Sequence, residues 1–374
     1  MRRRLLSIVG ALGLVTGLLS SGVAAQAETT AGPDSTYNSL LATYSWSSHD
    51  VCYSNGAYLA TNPCVITQTP SGKRNIAVCV QSSNNPAATE TCSISQTNDT
   101  HNNYALVIQR IHQSTCAPVA PCQMGTQTAS IQQTTTGSGS NFGGAFQNTV
   151  QSIGQRDDDP LQTNTQHVEV APYGPSGLEQ VSASGSNFAA VSQYSAQSAF
   201  GDPTQEQTAD QVAGHSGISG SGIDQHAPLG SNAALLVHIQ KQQLDASPSQ
   251  IQSAFQDGDI TQNGLPGKNL ASGNQFQDQR ENGPTGGFQE QTGDPRCCSP
   301  QNGGQFFVTI KTTQFANNLP TNSPNQHETL EGNCDSPGGT CHMSLSATQQ
   351  GVTSTATPCD ASSCHRAITL HVST

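Results

Sequence analysis

The most constraining feature of the sequence is a seven-residue frame in which Asn and Gln flank a run of mostly small or apolar residues. Side chains on a β-strand change face at every residue, so residues six apart lie on the same face. Each frame therefore predicts a β-strand whose two amides share one side with the small residues between them. The frames read "NIAVCVQ" (75–81), "NYALVIQ" (103–109), "NFGGAFQ" (141–147), "NFAAVSQ" (187–193) and "NLASGNQ" (269–275).

Amides that recur on one face can hydrogen-bond to the same amides on the strand above, and small residues between them allow strand layers to approach closely. The frames therefore predict ladders of stacked amides. A partial copy at Asn232 and Ala234 lacks Gln at its seventh position. The alternative is composition, because 40 Gln and 24 Asn in 374 residues produce such spacings by chance. The candidate ladder residues are Asn75, Gln81, Asn103, Gln109, Asn141, Gln147, Asn187 and Gln193.

Four of the copies carry Ala two residues after Asn, which gives the pattern Asn-x-Ala-x-x-x-Gln at Ala77, Ala105, Ala189 and Ala271. This pattern resembles half of the repeat of curlin-type subunits, secreted bacterial proteins that stack as a β-solenoid and assemble into amyloid surface fibres. The copies here are unevenly spaced, with successive Asn residues 28, 38, 46, 45 and 37 positions apart, and the matching Ser-x5-Gln arm is not in place before them. The resemblance implies a related stacking principle.

The first 27 residues have the composition of a secretory signal peptide. A basic stretch, Arg2–Arg4, precedes an apolar run, and Ala25-Gln26-Ala27 forms a small-x-small cleavage site. We expect the mature protein to begin near Glu28 and to be secreted, either extracellular or loosely associated with the cell surface. No later segment reaches ~18 consecutive apolar residues, so the sequence predicts no membrane span. The formal net charge of −12 argues against binding to nucleic acid or to an anionic membrane surface.

The 12 cysteines form two groups separated by a middle region without Cys. An exported chain can keep disulfides, so the sequence predicts Cys-rich β regions at 28–122 and 297–374, flanking an Asn-, Gln-, Gly- and Ser-rich region at 123–296. Three local pairs enclose turn residues and precede alternating runs, which suggests a disulfide across each turn. Pairing between the two groups stays open, because spacing does not fix connectivity. The local candidates are Cys116 with Cys122, Cys334 with Cys341, and Cys359 with Cys364.

Strand-like runs dominate the rest of the chain. Alternating or β-branched segments at 165–170, 235–243 and 305–315 are bounded by Gly, Pro, Asn and Ser. The best helix candidate is 247–258, and long irregular loops are expected at 194–231 and 280–304. The predicted fold class is all-β, either a β-solenoid or a stacked-hairpin or sandwich architecture, with disulfide-clamped turns and long polar loops.

Sites for cofactors, metals and catalysis are not expected. The segment "CDASSCH" (359–365) is two residues too long for the common haem attachment motif, and zinc would need a second ligand pair. The acidic runs at 156–160 and 256–264 lack the glycine-fixed loop of a calcium site. No catalytic motif is present, so we predict that the protein is not an enzyme. An ice-binding face would need Thr in a regular array, and along the chain "TTT" at 134–136 is isolated.

These observations predict a secreted structural or adhesive protein of the bacterial surface or extracellular matrix that self-assembles through Asn and Gln ladders. Its partners would be further copies of itself or cell-wall material. The alternative is a monomeric secreted binding domain for a wall polysaccharide or protein, and the third possibility is a secreted hydrolase.

Overall fold

The structure is a computed structural model, and the fold is described for the residues whose placement it defines. The predicted signal peptide and Cys116 lie outside these residues. The described ranges are 33–45, 47, 49–70, 72–115, 122–153, 161–168, 177–200, 204–213, 222–245, 249–265, 268–282, 288–297, 304–316 and 325–372.

Most of the described chain is β-strand, which confirms the predicted all-β class. The strands form two sheets, named A and B here, and the chain alternates between them. Each strand or strand pair of sheet B leads into one strand of sheet A, and the next turn of the chain adds parallel neighbours to both sheets. One such passage is called a coil, so the body of the molecule is a parallel β-solenoid.

The strands are numbered in chain order. Sheet A contains β1 (Val51–Ser54), β2 (Ala57–Tyr58), β4 (Asn75–Ser83), β6 (Asn103–Gln113), β8 (Asn141–Ile153), β11 (Asn187–Phe200), β14 (Asn232–Asp245), β16 (Asn269–Asn282), β18 (Gly304–Ala316), β20 (Thr340–Gln349), β21 (Val352–Thr355) and β22 (Cys359–Ala361). Sheet B contains β3 (Cys64–Gln68), β5 (Ala87–Asn98), β7 (Gln123–Thr135), β9 (Leu161–Val168), β10 (Leu178–Ser182), β12 (Thr204–Ala213), β13 (Ile223–Ala227), β15 (Ser249–Gly264), β17 (Phe288–Cys297), β19 (Asn325–Asp335) and β23 (Ser363–Val372).

The uneven spacing of the Asn frames does not disturb the register, because the extra residues are accommodated within sheet B. In the two longest coils the sheet B strand is split, into β9 and β10 and into β12 and β13. Both halves of each split strand pair with the same neighbouring strand, β7 in the first case and β15 in the second. The frames on sheet A therefore stay aligned residue for residue from β4 to β16.

Two predictions about local structure are wrong. The helix predicted at 247–258 is largely strand β15, in which Gln252, Ala254 and Gln256 face the interior. The prediction rested on Ser247 as a helix cap and Pro248 in a first turn, two local signals that lie outside the described residues. The predicted loops at 194–231 and 280–304 are also largely strand, because their polar residues are ladder amides.

The described chain contains one helix, α1 (Ser35–Tyr44), which the sequence analysis did not predict. Asp34 caps it by accepting a hydrogen bond from the Tyr37 N–H at 2.9 Å. The helix lies on the outer face of sheet A, where the Tyr37 ring contacts Phe142 and Phe188. It shields apolar side chains that the frames direct away from the core.

The strands of all three sequence regions belong to the same two sheets, and β17 runs across the boundary at 296/297. Antiparallel strands close both ends of the parallel stack: β1 pairs with β4 at the start, and β23 pairs with β19 at the end. Between the sheets lies a core of apolar rows and amide rows.

Candidate functional site

The Asn residues of the frames form a continuous ladder inside the solenoid. Each Nδ2 donates to the Oδ1 of the Asn one coil later, at 2.9–3.0 Å. The ladder includes the partial copy at Asn232, and its members are at most 2% exposed. The alignment follows from the parallel register, which places identical side chains about 4.8 Å apart. The ladder consists of Asn75, Asn103, Asn141, Asn187, Asn232 and Asn269.

The Gln residues that end the frames form a second ladder on the same sheet. Gln109 donates to Gln81 at 3.0 Å, Gln147 to Gln109 at 2.9 Å, and Gln193 to Gln147 at 2.8 Å. This ladder runs in the opposite direction from the Asn ladder, because here the donor lies in the later coil. All eight amides predicted as ladder candidates thus lie in two buried ladders.

The amides also connect the two sheets, because a carboxamide has two N–H donors and each ladder bond uses only one. Asn103 directs its second N–H to the carbonyl of Thr134 at 3.0 Å, and Gln109 directs its second to the carbonyl of Thr128 at 3.0 Å. Both acceptors lie on sheet B. Asn103 and Gln109 therefore each link neighbouring coils and opposing sheets at once, which explains how polar side chains replace part of an apolar core.

Sequence analysis missed an equivalent Gln ladder on sheet B. Each member donates Nε2 to the Gln one coil earlier at 2.6–2.8 Å, and a second N–H reaches the backbone on sheet A, such as the Tyr104 carbonyl at 2.9 Å. The signal is present in the sequence, since an aliphatic residue precedes each Gln by two positions and a frame Asn follows seven or eight positions later. The members are Gln68, Gln96, Gln133, Gln180, Gln225 and Gln262.

Two further ladders run near the far side of the solenoid. On sheet A the donor-to-acceptor distances are 2.7–3.1 Å and the ladder consists of Gln113, Gln151, Gln197, Gln242, Gln279, Gln314 and Gln349. On sheet B the donor-to-acceptor distances are 2.5–3.2 Å, and the ladder consists of Gln123, Gln162, Gln207, Gln252, Gln289 and Gln326.

His238 interrupts the frame Gln ladder of sheet A. It is paired in register between Gln193 and Gln275 and is fully buried. Neither ring nitrogen has a hydrogen-bond partner, and the Gln193 Oε1 and both polar atoms of the Gln275 amide are also unpaired. Burial lowers the pKa of His238 to about 3, so the ring is neutral at ordinary pH. An imidazole at this position ends the ladder because it cannot reproduce the donor and acceptor geometry of a carboxamide.

Three glutamates lie in the same interior. Burial raises the pKa of Glu90, Glu281 and Glu328 to about 8 each. Glu90 accepts a hydrogen bond from Gln127 at 2.9 Å, which begins a further ladder on sheet B. Both carboxyl oxygens of Glu281 and of Glu328 have no partner. Glu281 is aligned between Leu244 and Ala316, so its carboxyl interrupts an apolar row.

The described disulfides each join sheet A to sheet B near an end of the solenoid. At the first coils, Cys52 bonds to Cys64 and Cys79 to Cys92. Two of the predicted local pairs occur at the last coils. Cys334 with Cys341 spans the turn from β19 to β20, and Cys359 with Cys364 spans the turn from β22 to β23.

The first ends of the frame ladders are capped by residues of the chain itself. Asn55 donates to the Asn75 Oδ1 at 3.3 Å, Gln68 donates to the Ser54 Oγ at 2.9 Å, and Gln81 donates to the Thr61 carbonyl at 2.6 Å. The ladders are therefore internal, and this end does not present free amides to a neighbouring molecule.

Within the described residues, no cluster of three or more His, Cys, Asp or Glu side chains is arranged to hold a metal ion. The histidines that follow Cys341 and Cys364 make other contacts. The ring of His342 stacks on Phe307 and its Nδ1 lies 2.5 Å from Asp360, and the Nδ1 of His365 lies 3.9 Å from Glu331. The same part of the chain contains no helix with the length and apolarity needed to cross a membrane.

Comparison of the chain with protein-family models, with curated proteins and with solved structures gives no match. The arrangement of the residues is therefore the basis for a functional proposal.

Proposed function

We propose that this chain is a secreted structural protein of the bacterial surface or extracellular matrix that assembles with copies of itself. The observation that carries the proposal is a stack of coils fastened by in-register amide ladders that ends, within the described part of the chain, in the ten-residue edge strand β23. A stack of eight coils at about 4.8 Å per coil is a rod about 40 Å long, and the disulfides tie its two sheets together at both ends.

Self-assembly would use the C-terminal end of the rod. At the N-terminal end the ladders are capped, and the edge strands are short: β2 has two residues and β3 has five. At the C-terminal end, β23 has ten residues and is the last strand of sheet B within the described part of the chain. An edge strand of this length offers unpaired backbone N–H and C=O groups to a strand of another molecule.

The test is sedimentation velocity of the oxidised chain from Glu28 over a wide concentration range. The edge variant carries Ala367→Lys and Thr369→Lys, which place charges on exposed positions of β23. The control carries Thr309→Lys and Thr313→Lys, which add the same charge to β18, a strand with neighbours on both sides.

We expect the unmodified chain and the control to form large species as concentration rises, and the edge variant to stay monomeric. A compact monomer at every concentration would contradict self-assembly and favour the monomeric binding domain. Full assembly of the edge variant would show that β23 is not the contact.

A further inference from the structure

The outer face of sheet B in the first coils is an array of hydroxyl side chains. Outward-facing positions on β5 and β7 alternate with the buried ladder residues, and nine of these twelve positions are Thr or Ser, the others being Ala87, Met124 and Gln132. The face continues onto β9 with two further threonines. The members of this array, called the hydroxyl face below, are Thr89, Thr91, Ser93, Ser95, Thr97, Thr126, Thr128, Ser130, Thr134, Thr163 and Thr165.

The hydroxyl face is regular in two directions. Across the coils, Thr89 is in register with Thr126, which is in register with Thr165. Thr91 is aligned with Thr128 in the same way. Neighbouring rows are about 4.8 Å apart, and hydroxyl residues along a strand are about 6.7 Å apart. The result is a grid whose rows come from different coils.

The interior ladders hold this grid in place. Directly beneath it, Gln133 donates to Gln96 at 2.7 Å and Gln127 donates to Glu90 at 2.9 Å. Sheets ordinarily twist from strand to strand, and side-chain ladders are one of the devices that keep them flat. The hydroxyl face therefore lies directly over ladders that cross-link neighbouring coils.

The hydroxyls of the face are directed to solvent. Most of these residues are partly exposed, and among the described residues the only hydrogen bond between side chains of the face joins Ser130 to Ser93 at 3.1 Å. The outward positions of β5 and β7 include no charged and no aromatic residue. This surface offers methyl groups and hydroxyls, each able to donate and to accept.

We propose that the hydroxyl face binds the surface of ice. A crystal of water presents hydrogen-bonding sites on a two-dimensional lattice, and a rigid uncharged grid of hydroxyls can hold water at regular intervals while the methyl groups exclude disordered water. A small solute would need convergent groups in a concave pocket, and the face provides none of the aromatic platforms typical of ligand sites.

This proposal reverses the expectation from the sequence, in which "TTT" at 134–136 was the only visible run of Thr. The grid could not be seen along the chain because Thr89, Thr126 and Thr165 are brought together only by the coil register. The proposal is independent of self-assembly, which concerns the ends of the rod.

The later coils supply a matched control on the same face. Thr292 and Thr329 occupy the same column as Thr89 and Thr126 and are in register with each other. Their surroundings differ from the hydroxyl face, with Glu290, His327 and Glu331 on the neighbouring outward positions.

The experiment measures partition of the oxidised chain into a slowly grown ice crystal, together with thermal hysteresis. The test variant is Thr89→Tyr with Thr126→Tyr, and the control is Thr292→Tyr with Thr329→Tyr. Circular dichroism melting of each variant verifies that it is folded.

We expect the unmodified chain and the control to enter the ice and to show hysteresis, and the test variant to lose both while melting like the control. Exclusion of the unmodified chain from ice would overturn the proposal, as would equal behaviour of the two folded variants. Binding to insoluble polysaccharide without incorporation into ice would also overturn it.

Discussion

The coils up to β11 and the coils from β18 onward have the same backbone path but different interiors. In the earlier coils the frame positions are amides, paired from Asn75 to Asn187 and from Gln81 to Gln193. In the last coils the aligned positions are Gly304 and Ile310, followed by Leu345. Phe306, Val308 and Met343 fill the interior there, next to two disulfides.

The comparison shows that one solenoid can be stabilised in two ways. Amide ladders give directional bonds that select a single register, because a shifted strand leaves donors unpaired in the interior. Apolar rows give burial without that selection, and in the last coils the ladders that end at Gln349 and Gln326 and two disulfides hold the register instead. In the coils between these regions, the buried side chains of His238 and Glu281 have polar atoms without a hydrogen-bond partner. Neither the amide ladder nor the apolar row is therefore continuous there.

The largest expected effect is the loss of one amide from the middle of the intact ladder. Asn141→Ala removes both the acceptor of Asn103 and the donor to Asn187, leaving buried polar atoms unpaired. We expect the free energy of unfolding to fall by roughly 3 kcal/mol. Chemical denaturation of the oxidised protein measures the free energy of unfolding. The control is Asn148→Ala on the outer face, which we expect to change this free energy by less than about 0.5 kcal/mol.

The next effect concerns the unpaired carboxyl of Glu281. Its pKa of about 8 in the fold exceeds the ordinary 4.5, so its contribution to stability is fully present below pH 4.5 and is lost as pH rises towards 8. We expect Glu281→Gln to stabilise the protein by on the order of 2 kcal/mol at pH 8 and to have little effect at pH 4.

Thermal unfolding across this pH range tests the prediction for Glu281, with Glu331→Gln as the control because that side chain is about half exposed (51%). A pH-independent effect of Glu281→Gln would show that the carboxyl is already solvated.

The smallest effect is expected at His238, where Gln would complete the ladder between Gln193 and Gln275. We expect His238→Gln to raise the free energy of unfolding by about 1 kcal/mol at pH 7. The pKa of the buried ring, about 3, lies below the ordinary 6.5, so the native protein loses stability as pH falls from 6.5 towards 3. The variant should lack this acid-dependent loss, and unfolding curves at pH 7 and pH 4 measure the difference.

Sequence reasoning predicted the all-β class and the strands that carry the frames, because period-two alternation and the repeated amides are local signals. It did not predict strand β15 or the strands within 194–231, where abundant Gln and Gly resemble loop composition. Sequence reasoning could not reveal that Thr89, Thr126 and Thr165 lie in one column of sheet B. The coils differ in length, so the distance between these residues along the chain does not indicate which of them are in register. The ladder on sheet B was visible only as an aliphatic-x-Gln pattern seven or eight positions before each frame Asn, once the Asn frames are used as anchors.

The most direct test of the ladders is hydrogen exchange of the side-chain amides, followed by nuclear magnetic resonance on protein labelled with ¹⁵N at Asn and Gln. If the ladders hold the coils together, the Nδ2 hydrogens of Asn103 and the Nε2 hydrogens of Gln109 will exchange as slowly as the backbone amides of β6. The amide of the exposed Gln305 will exchange rapidly. Rapid exchange at Asn103 and Gln109, at the rate of Gln305, would contradict the account.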